Sequence, residues 1–103
     1  MCAVLREMSC HVYFLTNFTN SVLYTGVTSN LKDRVQKHRE KVYPAAFTSR
    51  YNVWKLVYFE GFGDMRAAIE REKQIKAGPR RRKAELIQRA NPQWRDLYWE
   101  LED

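Results

Sequence analysis

A chain of 103 residues is long enough for one compact domain and leaves little room for a second. Hydrophobic residues make up 45% of the chain and aromatic residues 14%, which excludes a disordered protein because a core can form. The formal net charge of +6 favours an anionic partner, nucleic acid first, although many small soluble proteins are this basic without binding one.

The first half of the chain predicts a hairpin. Residues 1–9 read as an N-terminal arm. Apolar and β-branched residues over 11–16 and 22–28 predict two strands, and the polar cluster over 17–21 predicts the turn between them. Because the connection is short, the two strands are expected to pair antiparallel.

A helix is predicted over 31–42. Asn30 is a suitable N-cap, Asp33 lies in the first turn where the helix dipole favours an acid, and Pro44 ends the helix. A loop then leads to a third strand over 53–60.

The second half predicts two further helices. Gly61 and Gly63 turn the chain after the third strand, and Asp64 caps a helix that runs to about Lys76. Gly78-Pro79 marks the break before another helix over 80–90, which Asn91-Pro92 ends. The order β-β-α-β-α-α predicts the α/β (α+β) class: a small, mainly antiparallel three-stranded sheet flanked by helices.

Both cysteines and the start of the chain bear on the compartment. Cys2 and Cys10 are spaced for neither a zinc site nor a CxxC pair, and two thiols form no disulfide framework. Arg6 and Glu7 stand where a signal peptide would need apolar residues, and no apolar run approaches a membrane span. We therefore expect a cytoplasmic protein with no membrane partner.

Two predicted helices place ionisable residues on apolar faces. On the first helix His38 lies in the stripe formed by Leu31, Val35 and Val42, with Arg34 on its flank. On the next helix Glu72 lies in the stripe formed by four apolar residues, Met65, Ala68, Ile69 and Ile75. A buried unpaired charge is costly, so each needs a partner or a role. A structural ion pair between Glu72 and either Arg34 or His38 is one interpretation, and a metal-binding Glu72 with Arg34 facing a phosphate is the other.

Tyr13 and Tyr24 lie on predicted strands, where tyrosine is common as a packing residue. Gly26 is more informative, because glycine inside a strand often marks a bulge or a close approach of the backbone.

Five short motifs occur in order along the chain: Val12-Tyr13, Tyr24-Thr25-Gly26-x-Thr28, Leu31-x-x-Arg34-x-x-x-His38, Ala68-x-x-x-Glu72-x-x-x-Lys76 and Asn91-Pro92. Together they resemble the GIY-YIG endonuclease superfamily, and more narrowly its small stand-alone bacterial branch. The match covers roughly residues 10–98 as the catalytic domain and leaves 99–103 as a C-terminal tail. His11 replaces the first glycine of the signature and Thr25 replaces an isoleucine, while both tyrosines remain.

The resemblance implies a divalent-metal-dependent endonuclease that hydrolyses phosphodiester bonds in DNA, with RNA not excluded. A structure-specific role in DNA repair, on branched, damaged or single-stranded forms, is part of that expectation. By motif position the catalytic residues are Tyr13, Tyr24, Arg34, His38 and Asn91, and the metal ligand is Glu72. One Mg²⁺ or Mn²⁺ ion is expected, because Glu72 is the only carboxylate that the pattern places on an apolar face. Asn91 has a simpler interpretation as a helix stop before proline.

The tyrosines need help to act as bases. An ordinary phenol has a pKa near 10, so a general-base role at neutral pH requires a nearby cation, which Arg34 and the metal would supply. We expect one of Tyr13 and Tyr24 to activate the water and the other to position it, with His38 supporting proton transfer. The sequence does not decide between the two tyrosines.

A basic run at the start of the last helix opposes the helix dipole, which favours phosphate contacts over a merely solvated face. The predicted nucleic-acid-binding residues are Lys73, Lys76, Arg80, Arg81, Arg82 and Lys83. The alternative function is a non-catalytic nucleic-acid-binding module of the same fold, and a third is an ordinary structural domain. The aromatic stretch over 94–99 packs the C-terminus onto the sheet or stacks on unpaired bases, and Leu97 within it favours packing.

Overall fold

The computed structural model describes residues 9–41 and 47–101. Most of the predicted N-terminal arm (residues 1–8) and the end of the predicted tail (102–103) lie outside these residues, as do Cys2, Val42 and Pro44. Within the described part of the chain, no helix combines the length and apolar character needed to cross a membrane.

An antiparallel three-stranded sheet forms the centre, with β1 (Cys10–Thr16) between β2 (Leu23–Thr28) and β3 (Lys55–Phe62). The predicted fold class and hairpin are confirmed. β3 begins and ends two residues later than expected. At its end, Gly61 continues the ladder opposite His11 instead of turning the chain.

Four helices and a short 3-10 helix pack on this sheet in the described part of the chain. They are α1 (Leu31–Arg39), α2 (Phe47–Arg50), α3 (Met65–Ala77), α4 (Arg80–Ala90) and the 3-10 helix Leu97–Glu100. Two predicted caps are confirmed: Asn30 Oδ1 accepts the N–H of Asp33 at 3.2 Å, and Asp64 Oδ1 accepts that of Ala67 at 2.8 Å.

The element α2 falls where the sequence predicts a loop, since four residues are too few to show a helical period. Pro79 precedes α4 as its N-cap instead of occupying the first helical position. Ile69 was expected in the apolar stripe of α3, but its side chain is exposed, and the buried residues of that helix are Ala68 and Ile75.

Alternation along β1 divides the core into two halves. Val12 and Phe14 face α3 and α4, where they meet the buried Ile75. Tyr13 and Leu15 face the opposite way and pack with four buried residues of other elements, Leu31, Val35, Val53 and Leu56, and with half-buried side chains of the 3-10 helix. Tyr13 is therefore a core residue on the face that α1 covers.

Candidate active site

Tyr13, Tyr24 and His38 meet at the junction of β1, β2 and α1. The Tyr13 hydroxyl lies 3.2 Å from Nε2 of His38. The Tyr24 ring centroid lies 5.5 Å from that of His38, edge-on, and 6.2 Å from that of Tyr13. Tyr13 is fully buried and His38 nearly so, whereas Tyr24 is half-buried. The two phenols thus differ in their access to solvent.

Gly26 makes room for this arrangement. It pairs with Tyr13 across the β1–β2 ladder, and the Tyr13 ring lies over it. A Cβ atom at position 26 would lie 2.5 Å from both Cζ and Oη of Tyr13. The glycine in the second strand is therefore required by close approach of a side chain, which agrees with the interpretation of a strand glycine as a mark of close approach.

Thr48 completes the surroundings of His38. Its Oγ1 lies 2.8 Å from Nδ1 of His38, and its residue is buried in α2. Both ring nitrogens of His38 are thus hydrogen-bonded inside the protein, one to Tyr13 and one to Thr48. Sequence reasoning missed Thr48, because α2 has no helical period and a single threonine carries no motif.

Electrostatics join Arg34 and Glu72 to the same cluster. Burial raises the pKa of the Tyr13 phenol, because the phenolate loses water, and Tyr24 adds to this effect. The Arg34 guanidinium acts on that pKa in the opposite direction, and the Glu72 carboxylate raises it. Burial, followed by the charge of Arg34, lowers the pKa of His38 below its ordinary value of 6.5. In the free protein these shifts favour a protonated Tyr13 beside a neutral His38.

Glu72 lies on the flank of α3 with its side chain only 15% exposed. Its Oε2 forms an ion pair with Nζ of Lys76, one turn later in the helix, at 3.3 Å. The structural alternative expected the partner of Glu72 to be Arg34 or His38, and the partner in the structure is Lys76 instead. Lys76 is 53% exposed, so solvent weakens this pair.

The side chains near Glu72 could supply only part of the ligand set of a hard divalent cation. Among residues 9–41 and 47–101, no three His, Cys, Asp or Glu side chains are grouped closely enough to hold a metal. Mg²⁺ is commonly held by one or two carboxylates, with water and substrate phosphate as its other ligands. Glu72 fits that pattern, and the ammonium of Lys76 already shows one carboxylate oxygen receiving a cation.

Asn91 is buried at the C-terminal end of α4, and its amide is engaged by the backbone. Nδ2 donates to the carbonyls of Val57 at 3.0 Å and Arg95 at 2.9 Å, and Oδ1 accepts the N–H of Arg95 at 3.1 Å. These bonds fasten the end of α4 to β3. They make Asn91 a scaffolding residue, and its catalytic role stays a prediction.

The predicted nucleic-acid-binding residues line the ends of α3 and α4. Lys83 is half-buried, and its pKa is lowered by burial and by the charges of Lys76 and Arg80. Arg80 donates to the carbonyl of Asn20 at 3.0 Å, which joins α4 to the β1–β2 turn. Lys73, Arg81 and Arg82 are exposed.

A groove of about 470 Å³ runs between α3 and α4, lined by Arg71, Gln74, Ile75, Gly78, Arg82, Lys83, Glu85, Leu86 and Arg89. Four of these residues are cationic and one is anionic. Arg71 is neutralised by Glu60 through two hydrogen bonds of 2.9 and 3.0 Å. The remaining cations give the groove a positive rim.

His11, which replaces the first glycine of the signature, packs edge-on against the Phe59 ring at 5.9 Å. Burial lowers its pKa, and its Nδ1 has no hydrogen-bond partner in the described part of the chain. Its side chain fills space beside the exposed ring of Phe59 at the end of the sheet.

The antiparallel three-stranded sheet flanked by helices, with Tyr13, Tyr24 and His38 meeting where β1 and β2 face α1, is consistent with the fold of GIY-YIG catalytic domains. The sequence model of the GIY-YIG catalytic domain matches residues 9–85, and the chain belongs to this nuclease family.

Similar proteins are small. A UPF0213 protein of Syntrophus aciditrophicus is 34% identical over 86 residues, which cover 84% of this chain and 98% of the relative. A UPF0213 protein of Clostridium perfringens is 42% identical over 77 residues, 75% of this chain and 81% of the relative. A third, from Haloquadratum walsbyi, is 32% identical over 78 residues, 76% of this chain and 86% of the relative. No solved structure matches the chain significantly.

Proposed function

We propose that the protein is a divalent-metal-dependent endonuclease that hydrolyses phosphodiester bonds in DNA. The observation that carries this proposal is the meeting of Tyr13, Tyr24 and His38, from three separate elements, within reach of the charges of Arg34 and Glu72. A packing role alone gives no reason to bury this combination of groups together.

Proton transfer is assigned to Tyr13 and His38, because the Tyr13 hydroxyl lies 3.2 Å from Nε2 of the imidazole. In the tautomer that we propose, Nδ1–H of His38 donates to Thr48 and Nε2 accepts the phenolic hydrogen. The proton rests on Tyr13 in the free protein, since its pKa is raised and that of His38 is lowered. Arrival of cationic charge beside the phenol would favour its transfer. Tyr24, being half-buried, orients the attacking water.

Arg34 is assigned to the phosphoryl oxygens. It is half-buried, and within the described residues no carboxylate forms an ion pair with it. Guanidinium donors form charge-assisted, often bidentate hydrogen bonds with phosphate. A phosphate there would supply an anionic partner that Arg34 does not find among the described residues.

Glu72 is assigned as the protein ligand of one Mg²⁺ or Mn²⁺ ion. Such an ion, when bound, would stabilise charge on the phosphoryl and leaving oxygens. Two observations support this assignment: the Glu72 carboxylate acts electrostatically on Tyr13, and a cation, the Lys76 ammonium, already contacts one of its oxygens.

The DNA backbone is assigned to the basic surface formed by Lys73, Lys76, Arg80, Arg81, Arg82 and Lys83, extended by Arg89 on the groove rim. The closeness of Lys76, Arg80 and Lys83 supports this, because like charges held near one another favour a polyanion. Contacts of this kind position the strand and carry little sequence information.

Replacement of Arg82 and Arg89 by glutamine is expected to weaken duplex binding and flatten its salt dependence. Each lost phosphate contact should reduce the slope of log affinity against log salt by about 1. Fluorescence anisotropy over a salt series, with chelator present, measures this. Arg66→Gln, on the exposed face of α3, is the charge control. An unchanged slope in the double variant would remove Arg82 and Arg89 from the interface.

Thr48→Val is expected to reduce cleavage about tenfold and to lower stability by about 1–3 kcal/mol, because Nδ1 of His38 loses its buried partner. The Thr48 oxygen stabilises protonated His38 more than neutral His38, so its loss should move the acid limb of the pH–rate profile to lower pH. Thr48→Ser should restore both. A variant that is destabilised but keeps the rate and pH profile of the wild type would make Thr48 merely structural.

The proposed activity is tested by incubating the protein with plasmid, branched DNA and an RNA duplex, each with Mg²⁺, Mn²⁺ or chelator. Cleavage that is abolished by chelator supports the proposed endonuclease activity. DNA binding without cutting under any of these conditions would contradict it and favour the non-catalytic binding module. Preference for branched or damaged DNA over plasmid would support a repair-related role.

A further inference from the structure

Arg39, the last residue of α1, lies among three aromatic rings. Its guanidinium carbon is 4.6 Å from the Tyr98 ring centroid, 5.0 Å from that of Trp54 and 5.1 Å from that of Trp99. These are cation–π distances. We name the three rings and the guanidinium the aromatic platform.

Asp96 holds the platform in place. Its Oδ2 forms an ion pair with Arg39 at 2.6 Å, in which both side chains are largely buried. Its Oδ1 accepts the backbone N–H groups of Leu56 in β3 and of Tyr98 in the 3-10 helix, each at 3.2 Å. One carboxylate therefore ties α1, the sheet and the 3-10 helix together. The platform is built into the free protein.

Trp99 is 74% exposed although it belongs to this braced cluster. Arg39 covers one face of the indole, and the Tyr98 ring meets it at 5.0 Å and 82°. The sequence favoured packing for the whole aromatic stretch. That holds for Trp94, Leu97 and Tyr98, which pack on the core, and is wrong for Trp99. The structure thus holds the exposed ring of Trp99 against Arg39, which directly follows His38 in the chain.

The chemistry of the platform selects among ligands. Its cation site is filled by Arg39, which disfavours an ammonium ligand, and Asp96 neutralises that charge, so the surface does not select anions either. A neutral planar ring is the complementary ligand. The net charge of +6 favours a polyanion that carries such rings. In a duplex each base is covered by its neighbours, so only an unpaired base can stack on Trp99.

We propose that the aromatic platform binds an unpaired base, so that the preferred substrates contain a single-stranded segment beside the active site. This inference rests on the proposed function for its choice of nucleic acid. A protein partner docking on Trp99 is the competing occupant.

Binding of a labelled single-stranded oligonucleotide and of a matched duplex, measured by anisotropy with chelator present, tests the proposal. Trp99→Ala should weaken single-strand binding on the order of tenfold and duplex binding much less. Trp99→Phe should keep most of the single-strand affinity. Phe18→Ala, which removes a 79% exposed ring outside the platform, should change neither.

Equal losses on both ligands, or none, would overturn the proposal, and unchanged binding by a folded Trp99→Ala protein would point to the protein partner. Circular dichroism melting checks that each variant folds. Because chelator prevents cutting, this result does not depend on catalysis. Single-strand binding through Trp99 in a protein that never cuts would leave the platform standing while the proposed activity fails.

Discussion

Glu72→Gln is expected to reduce metal-dependent cleavage by about three orders of magnitude or more, the scale of a lost metal contribution of several kcal/mol. Its effect on stability should be small. The change preserves shape, and the ion pair that it removes joins residues one turn apart, is exposed on the Lys76 side and is worth about 0.3–0.5 kcal/mol.

Glu70→Gln is the matched control, because it makes the same change on the same helix at an exposed position. Mn²⁺ titration, followed by water relaxation, provides a second readout: Glu72→Gln should lose the bound ion and Glu70→Gln should keep it. Lys76→Met should strengthen Mn²⁺ binding, since the ammonium no longer competes for the carboxylate. If Glu72→Gln cuts DNA and binds Mn²⁺ like the wild type, Glu72 is not the ligand.

Glu72 and Thr48 differ in how far the sequence alone indicates them. The low exposure of Glu72 could be predicted, because a carboxylate in an apolar stripe conflicts with helical periodicity and the conflict is visible without coordinates, whereas its role as a metal ligand stays a prediction. Its partner could not, because the choice between Lys76 and Arg34 depends on how α3 lies against the sheet. Thr48 could not be predicted, because its helix has only four residues and shows no helical period.

The strands give the same lesson at smaller scale. Apolar runs located β1 and β2 within a residue, whereas the end of β3 was misplaced, because glycine is typical both of turns and of close approach. Gly61 belongs to the ladder and Gly26 makes room for a ring. Only the neighbouring strand distinguishes the two uses. The setting of Trp99 likewise depends on a distant contact: Arg39, which lies over its ring, is held by Asp96, 57 residues further along the chain.

Gly26→Ala is expected to disconnect Tyr13 from His38. The added Cβ would lie 2.5 Å from the end of the Tyr13 ring, which is fully buried, so the ring or the strand must shift. We expect a loss of about 1–3 kcal/mol in the free energy of unfolding, as for other overpacked cores. Cleavage should fall about 100-fold, the scale of a misplaced reacting group. Gly78→Ala controls for stability, because its Cβ would meet the nearest atom, on Arg82, at an ordinary 3.5 Å.

A double-mutant cycle with Tyr13→Phe separates the two ways in which Gly26→Ala could act. If the methyl group acts by moving the Tyr13 hydroxyl off His38, it should cost little further activity once that hydroxyl is gone, although the loss of stability should persist. A full 100-fold loss in the Tyr13→Phe background would mean instead that the backbone of β2, and with it Tyr24, is displaced. The expected non-additivity follows from the register, since Tyr13 and Gly26 are directly opposite each other. The two strand motifs then depend on each other: because Gly26 has no side chain, the Tyr13 ring can take the position in which its hydroxyl contacts His38.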